Sequence, residues 1–186
     1  MTTILASKSP RRRELLSLIL PSFEVEDAHI DERAIHGDSP SDLCQKLATA
    51  KCRHVFELHP NSCVIGCDTL VFIDNRLLGK PHSVEDAREM IRELSDAAHD
   101  VYTGVCIMTP ITQEVFHCKT TVVFNPISEE EIEAYIATDE PYDKAGGYSI
   151  QGGAAKFCRE LHGDFYNVMG LPVSALYEKL RSLNLI

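Results

Sequence analysis

Along this chain the spacing of apolar positions switches repeatedly between a period of two and one of about 3.6, so short strands and helices are predicted to alternate. Thr3-Ile4-Leu5-Ala6-Ser7 reads as a short buried strand, and the next helix opens on Ser9-Pro10 with Leu15, Leu16, Ile19 and Leu20 on its apolar face. Ser offers its hydroxyl to a free backbone N–H there, and Pro lacks the N–H that would be orphaned. Phe23 to Glu26 alternates as an edge strand, and residues 30–38 form a polar loop containing Asp31-Glu32. Ser39-Pro40-Ser41-Asp42 opens a second helix, with Leu43, Leu47, Ala50, His54 and Leu58 at helical spacing and Lys51 on the flank. Val64 to Ile73 is a near-continuous apolar run, the pattern of a strand buried on both faces, interrupted by Asp68. Asn75-Arg76 reads as a turn, residues 77–81 as an exit, and Ser83 caps a helix to about Leu94. Val101 to Met108 and Glu114 to Phe124 are β-rich, joined by a hairpin at residues 109–112, and Ser128 with Glu131 makes a capping box for a helix through Ala137. After a glycine-rich stretch, Asp139 to Gly153, come short strands near residues 157–161 and 165–169 and a last helix from Leu171 to Leu183. The expected fold class is α/β, a mixed sheet flanked by helices, with no linker dividing residues 1–186 into separate domains.

Composition narrows the functional classes. With 186 residues, 44% hydrophobic and 25% charged, the chain is ordinary globular protein. A net charge of −10 repels a polyanion, which argues against a general nucleic-acid binder and requires the basic residues to act locally. No run approaches a membrane span, and the start lacks the n-region and h-region of a signal peptide, so no membrane partner and a cytoplasmic location are expected. Seven cysteines with no C-x-x-C pair suit buried thiols in a reducing compartment, and Cys63 and Cys67 have no second ligand pair at zinc-site spacing.

Four features carry candidate chemistry. Arg11, Arg12 and Arg13 stand in the first turn of the Ser9-capped helix, where each opposes the helix dipole by about 0.3–1 kcal/mol if exposed. A bound phosphate resolves that conflict, because it collects both the free N–H groups and the guanidinium forks; arginines pairing on a plain surface helix are the alternative. Asp68, a carboxylate inside an apolar strand, is either a member of a structural network or a poised base. Lys51 and Lys80 are single cations that could each deliver charge to a fixed anion. The stretch from Asp139 to Gly153 combines glycines with acids and Gln151, as in a ligand-approach loop or a surface loop. There is no P-loop motif, and the eight histidines show no ligand spacing.

Taken as an ordered set, "SKSPRR", "GCDTLV", "LGKP", "YTGV", "DEPYDKAGGYSIQG" and "FYNVMGLP" resemble the Maf family, the septum-formation-inhibitor-like nucleotide pyrophosphatases, over nearly the whole chain. The resemblance implies an inosine-triphosphatase-like fold with two lobes around a deep cleft, and hydrolysis of a nucleoside triphosphate to monophosphate and pyrophosphate. "DT" and "KAGGYSIQG" look like the branch acting on dTTP and UTP, with modified pyrimidine nucleotides left open. Carried over by position, the resemblance makes Asp68 the proton acceptor and places Lys51 and Lys80 at the reacting phosphates. It assigns Ser7 and Arg12 to phosphate as well, Arg11, Thr69 and Gln151 to substrate choice, and Glu32 to the acidic side of the cleft. A triphosphate carries about four negative charges, so a divalent cation, Mg²⁺ or Mn²⁺, is the expected cofactor, with Asp68 and Glu32 as its ligands. The implied partner is the small-molecule nucleotide, and a homodimer is left open. Two rivals stand beside this reading. One is a phosphomonoesterase of the haloacid dehalogenase type, suggested by Asp68-Thr69-Leu70 although Leu70 stands where that chemistry wants a second acid; the other is a nucleotide-binding regulator of cell division without turnover.

Overall fold

The computed structural model describes all 186 residues. In chain order the elements are β1 (Thr3–Ala6), α1 (Pro10–Ser17), β2 (Glu24–Glu26), α2 (Pro40–Leu58), β3 (Cys63–Ile73), β4 (Arg76–Leu78), α3 (Val84–Leu94), β5 (Ala98–Met108), β6 (Gln113–Phe124), α4 (Glu129–Ile136), β7 (Cys158–His162), α5 (Phe165–Met169) and α6 (Val173–Ser182), with short 3₁₀ turns between them. The strands form one sheet in the order β2-β1-β3-β5-β6-β7, with β4 paired to β3. β1 runs parallel to β2 and β3, whereas β3–β4 and β6–β7 are antiparallel, so the sheet is mixed as expected. No helix is long and apolar enough to cross a membrane. The chain gathers into two compact units: Met1–Thr69 with Tyr102–Cys118 and Tyr166–Ile186, and Leu70–Val101 with Lys119–Phe165.

In the first unit the period of two in the strands builds two cores. Leu5, Ile65, Cys67, Val105 and Ile107 face Leu15, Leu16 and Leu20 of the α1 segment and Leu176 and Leu180 of α6. The alternate residues Ile4, Ala6, Val64, Cys106 and Met108 face Ala48, Cys52 and Val55 of α2. Strands covered on both faces must be apolar at successive positions, which is why β3 reads as an unbroken run. The buried side of α2 is Cys44, Leu47, Ala48, Cys52 and Val55; it keeps Leu47 of the expected stripe Leu43, Leu47, Ala50, His54 and Leu58 and is rotated away from the other four. Small residues win there because the sheet comes so close. A Cβ on Gly66 would lie 2.5 Å from the Ala48 carbonyl oxygen, and one on Gly104 2.2 Å from that of Cys44.

The second unit is built on α3, α4 and the aromatic rings of Phe124, Tyr135, Tyr148 and Phe157, all buried. Arg88 and Arg92 of α3 pair with Glu133 and Glu129 of α4 through both carboxylate oxygens. Arg76 begins a strand rather than completing a turn, because Asp74 and Asn75 both take positive φ and close a tight hairpin between β3 and β4. Residues 165–169, expected as a strand, form the short helix α5, which folds back so that Gly170 N–H bonds the carbonyls of Tyr166 and Asn167.

Candidate active site

The first unit brings together Ser7, Arg12, Glu32, Lys51, Asp68 and Thr69 at the carboxyl end of β1, where parallel β3 continues past it; Ala6 pairs with Gly66, two residues before Asp68. Ligand sites of α/β sheets favour such strand ends. Successive residues of β3 serve opposite faces, Asp68 the α2 face and Thr69 the α1 face.

On the α2 face Lys51 Nζ lies 2.5 Å from Asp68 Oδ1 and 2.7 Å from Glu32 Oε1. The Asp68 and Lys51 side chains are only 10% and 13% exposed, while Glu32 is 56% exposed, so the buried pair is completed by one carboxylate at the solvent edge. Burial pulls the Lys51 ammonium toward neutrality, but the charge of Asp68 and the hydrogen bonds of Asp68 and Glu32 outweigh it even against nearby Arg12, and its pKa is raised. Asp31, next to Glu32, turns instead to cap its own 3₁₀ turn and to pair with Arg33.

On the α1 face Ser9 caps α1 by accepting from Arg12 N–H, and the Arg12 side chain folds back over the helix start. Its Nε donates to Gly170 C=O at 2.9 Å, Nη1 to Ser7 Oγ at 3.3 Å and Nη2 to Thr69 Oγ1 at 3.1 Å. Thr69 Oγ1 is 2.9 Å from Thr103 Oγ1, and Thr103 donates to Asn167 C=O at 3.0 Å. Of the five N–H groups of a guanidinium, two remain for a ligand. Arg11 is half-buried and Arg13 exposed. Thr103, Asn167 and Gly170 were not legible as site residues: two act through backbone carbonyls, and Thr103 is one more residue of a strand.

Lys80 and Gln151 belong to the second unit, and both are exposed. The loop carrying Gln151 is braced by Glu140, whose carboxylate accepts from Tyr135 Oη–H at 2.7 Å and from Gly153 N–H at 2.9 Å. Burial works against the Glu140 carboxylate, yet those hydrogen bonds prevail and its pKa is lowered. A Cβ on Gly152 would sit 2.4 Å from the Glu140 carboxylate and push it off those hydrogen bonds.

Residues 2–183 match the family model described as Maf-like protein. The chain belongs to the Maf family. Among Maf relatives, it is 45% identical over 181 residues, 97% of this chain and 95% of the other, to the dTTP/UTP pyrophosphatase of Bacillus cytotoxicus (strain DSM 22905 / CIP 110041 / 391-98 / NVH 391-98). It is 47% identical over 180 residues, 97% of each chain, to the protein of that name from Geobacillus sp. (strain WCH70). Among solved structures, the Staphylococcus aureus Ham1 protein superposes with a TM-score of 0.56 over 98% of this chain and 99% of that one at 13% identity. The Maf chain therefore has the Ham1-like, inosine-triphosphatase-like fold expected of it.

Proposed function

We propose that this Maf protein hydrolyses dTTP and UTP to the nucleoside monophosphate and pyrophosphate, the activity for which its relatives are named. The observation that carries the reading is Lys51, one ammonium held by the oxygens of both Asp68 and Glu32. Two carboxylates thus already converge on a cation. Such a donor set fits a hard divalent ion, since Mg²⁺ is commonly held by one or two carboxylates and completed by substrate phosphates. Asp68 and Glu32 would hold Mg²⁺ or Mn²⁺, which when bound neutralises charge on the phosphates and polarises the attacked phosphoryl group. The rest falls to the chain. Asp68 accepts the proton of the water that attacks the α-phosphorus, while Ser7, Arg12, Lys51 and Lys80 bind phosphate oxygens so that pyrophosphate leaves with its charge spread.

Arg11, Thr69 and Gln151 select the base. Thr69 has one hydroxyl hydrogen, and it points to Thr103, because the Thr103 hydrogen is taken by Asn167 C=O. Thr69 therefore offers a ligand a lone pair and no proton. That suits the N3–H of thymine or uracil and not the bare N3 of cytosine.

The test is incubation of the purified protein with Mg²⁺ and a panel of nucleoside triphosphates, including modified pyrimidines, with pyrophosphate and orthophosphate measured separately. Pyrophosphate is expected from dTTP and UTP and less from CTP, with none in EDTA and a fall of at least about 100-fold in Asp68→Asn. Orthophosphate alone would replace this reading with a phosphomonoesterase. Silence across the panel would leave a nucleotide-binding regulator.

A further inference from the structure

The Thr103 hydroxyl, in the "YTGV" stretch of β5, is fully buried in the first unit and touches no position assigned to substrate except Thr69. Its place in the hydrogen-bond chain is directional. Arg12 can only donate and the Asn167 carbonyl can only accept, so the order runs Arg12 N–H to Thr69 Oγ1, Thr69 O–H to Thr103 Oγ1, and Thr103 O–H to Asn167 C=O. Reversing the middle link would leave Thr103 without a hydrogen for Asn167. The other acceptor near Thr69 is Gly170 C=O at 3.5 Å, the oxygen that already receives Arg12 Nε–H at 2.9 Å.

We propose that Thr103 is a positioning residue for Arg12: by taking the Thr69 proton, it keeps the Thr69 lone pair turned to the guanidinium. Three acceptors, Ser7 Oγ, Thr69 Oγ1 and Gly170 C=O, then hold the guanidinium plane, and its two remaining N–H groups are aimed before a phosphate arrives. Preorganisation of this kind lowers the ordering cost of binding. Without the Thr103 hydroxyl, the Thr69 proton turns to Gly170 C=O, 3.5 Å away; that oxygen then accepts from Thr69 as well as from Arg12 Nε, and the Thr69 lone pair rotates off the line to Arg12 Nη2.

This inference rests on the pyrophosphatase reading, and the experiment separates the two. Thr103→Val keeps the shape and removes the hydroxyl, Thr103→Ser restores it, and Arg12→Lys removes the group being positioned. Pyrophosphate release and calorimetric binding of a non-hydrolysable α,β-methylene dTTP are measured for wild type, the three variants and Thr103→Val/Arg12→Lys, with melting temperatures alongside. Expected for Thr103→Val is a KM and a Kd raised together by about fivefold, the worth of one buried neutral hydrogen bond, with kcat within about twofold. Thr103→Ser should lie within about twofold of wild type. In the Arg12→Lys background, Thr103→Val should add less than about twofold, because the guanidinium it serves is gone. Effects of Thr103→Val and Arg12→Lys that multiply, or a Thr103→Val protein that melts early with unchanged KM and Kd, overturn the inference while leaving the activity in place. A wild-type chain that neither binds nor hydrolyses dTTP overturns the activity and the inference with it.

Discussion

His99 illustrates what one buried side chain decides. Its ring is buried in the second unit against Phe124 and Tyr148, with centroids 5.0 and 5.3 Å away; Nε2 is 2.7 Å from Tyr148 Oη, and Nδ1 has no partner. A second ring proton would bury both a charge and an unpaired donor, so burial pushes its pKa down to about 4. The unfolded chain therefore binds more protons between pH 6.5 and 4, and stability falls as pH drops through that window. Urea unfolding at pH 7 and pH 5 should show a loss of about 2 kcal/mol that is absent from His99→Phe, after subtraction of the slope common to both proteins. None of this was visible in the sequence, where eight histidines looked alike. Arg12 and Asp68 were legible because each violates its local pattern, a cation at a helix start and a carboxylate in an apolar strand. Thr103 violates nothing, and its hydrogen bonds run to Thr69 and Asn167, 34 and 64 positions away.

At the scale of elements, the placement of Lys51 depends on how closely α2 lies against the sheet. Cys44, Ala48 and Cys52, small residues spaced by four, let the α2 backbone lie against Gly66 of β3 and Gly104 of β5. Lys51 follows Ala48 by one turn, at the edge of that face and within reach of Asp68. The added methyl of Gly66→Ala or Gly104→Ala would meet backbone, which cannot rotate away, so each should cost about 2 kcal/mol or more in urea unfolding. Displacing α2 also moves Lys51, and kcat/KM for dTTP should fall further than the folded fraction does. The existence and starts of α1, α2, α3 and α4 were legible, since Ser9, Ser39, Ser83 and Ser128 each cap one by accepting from a backbone N–H three residues on. Of the buried side of α2, only Leu47 was. Leucine spacing marks an apolar stripe, but the sheet chose the narrower one, and only the opposing glycines explain the choice. The aromatic run of α5 likewise suits a strand locally and is a helix in the fold.

For the whole molecule, a net charge of −10 sets a field that repels polyanions while Arg12 and Lys51 act over a few ångströms. The chain should therefore leave a fluorescently labelled DNA duplex unshifted at 0.15 M salt while binding dTTP in Mg²⁺; retention of the duplex would show that local basic clusters outweigh the global charge. The α/β class, the mixed sheet with flanking helices and the Maf-family motifs were determined by the sequence itself, because caps, turns and burial periods depend on residues within a few positions of one another. The tertiary structure decided which groups meet: Glu32 rather than Asp31 on Lys51, Arg12 on Thr69 and Gly170, and Thr103 between Thr69 and Asn167. Those contacts join residues up to 158 positions apart, and they depend on strand register and on the close approach of α2 to the sheet, neither of which is a property of any local stretch of chain.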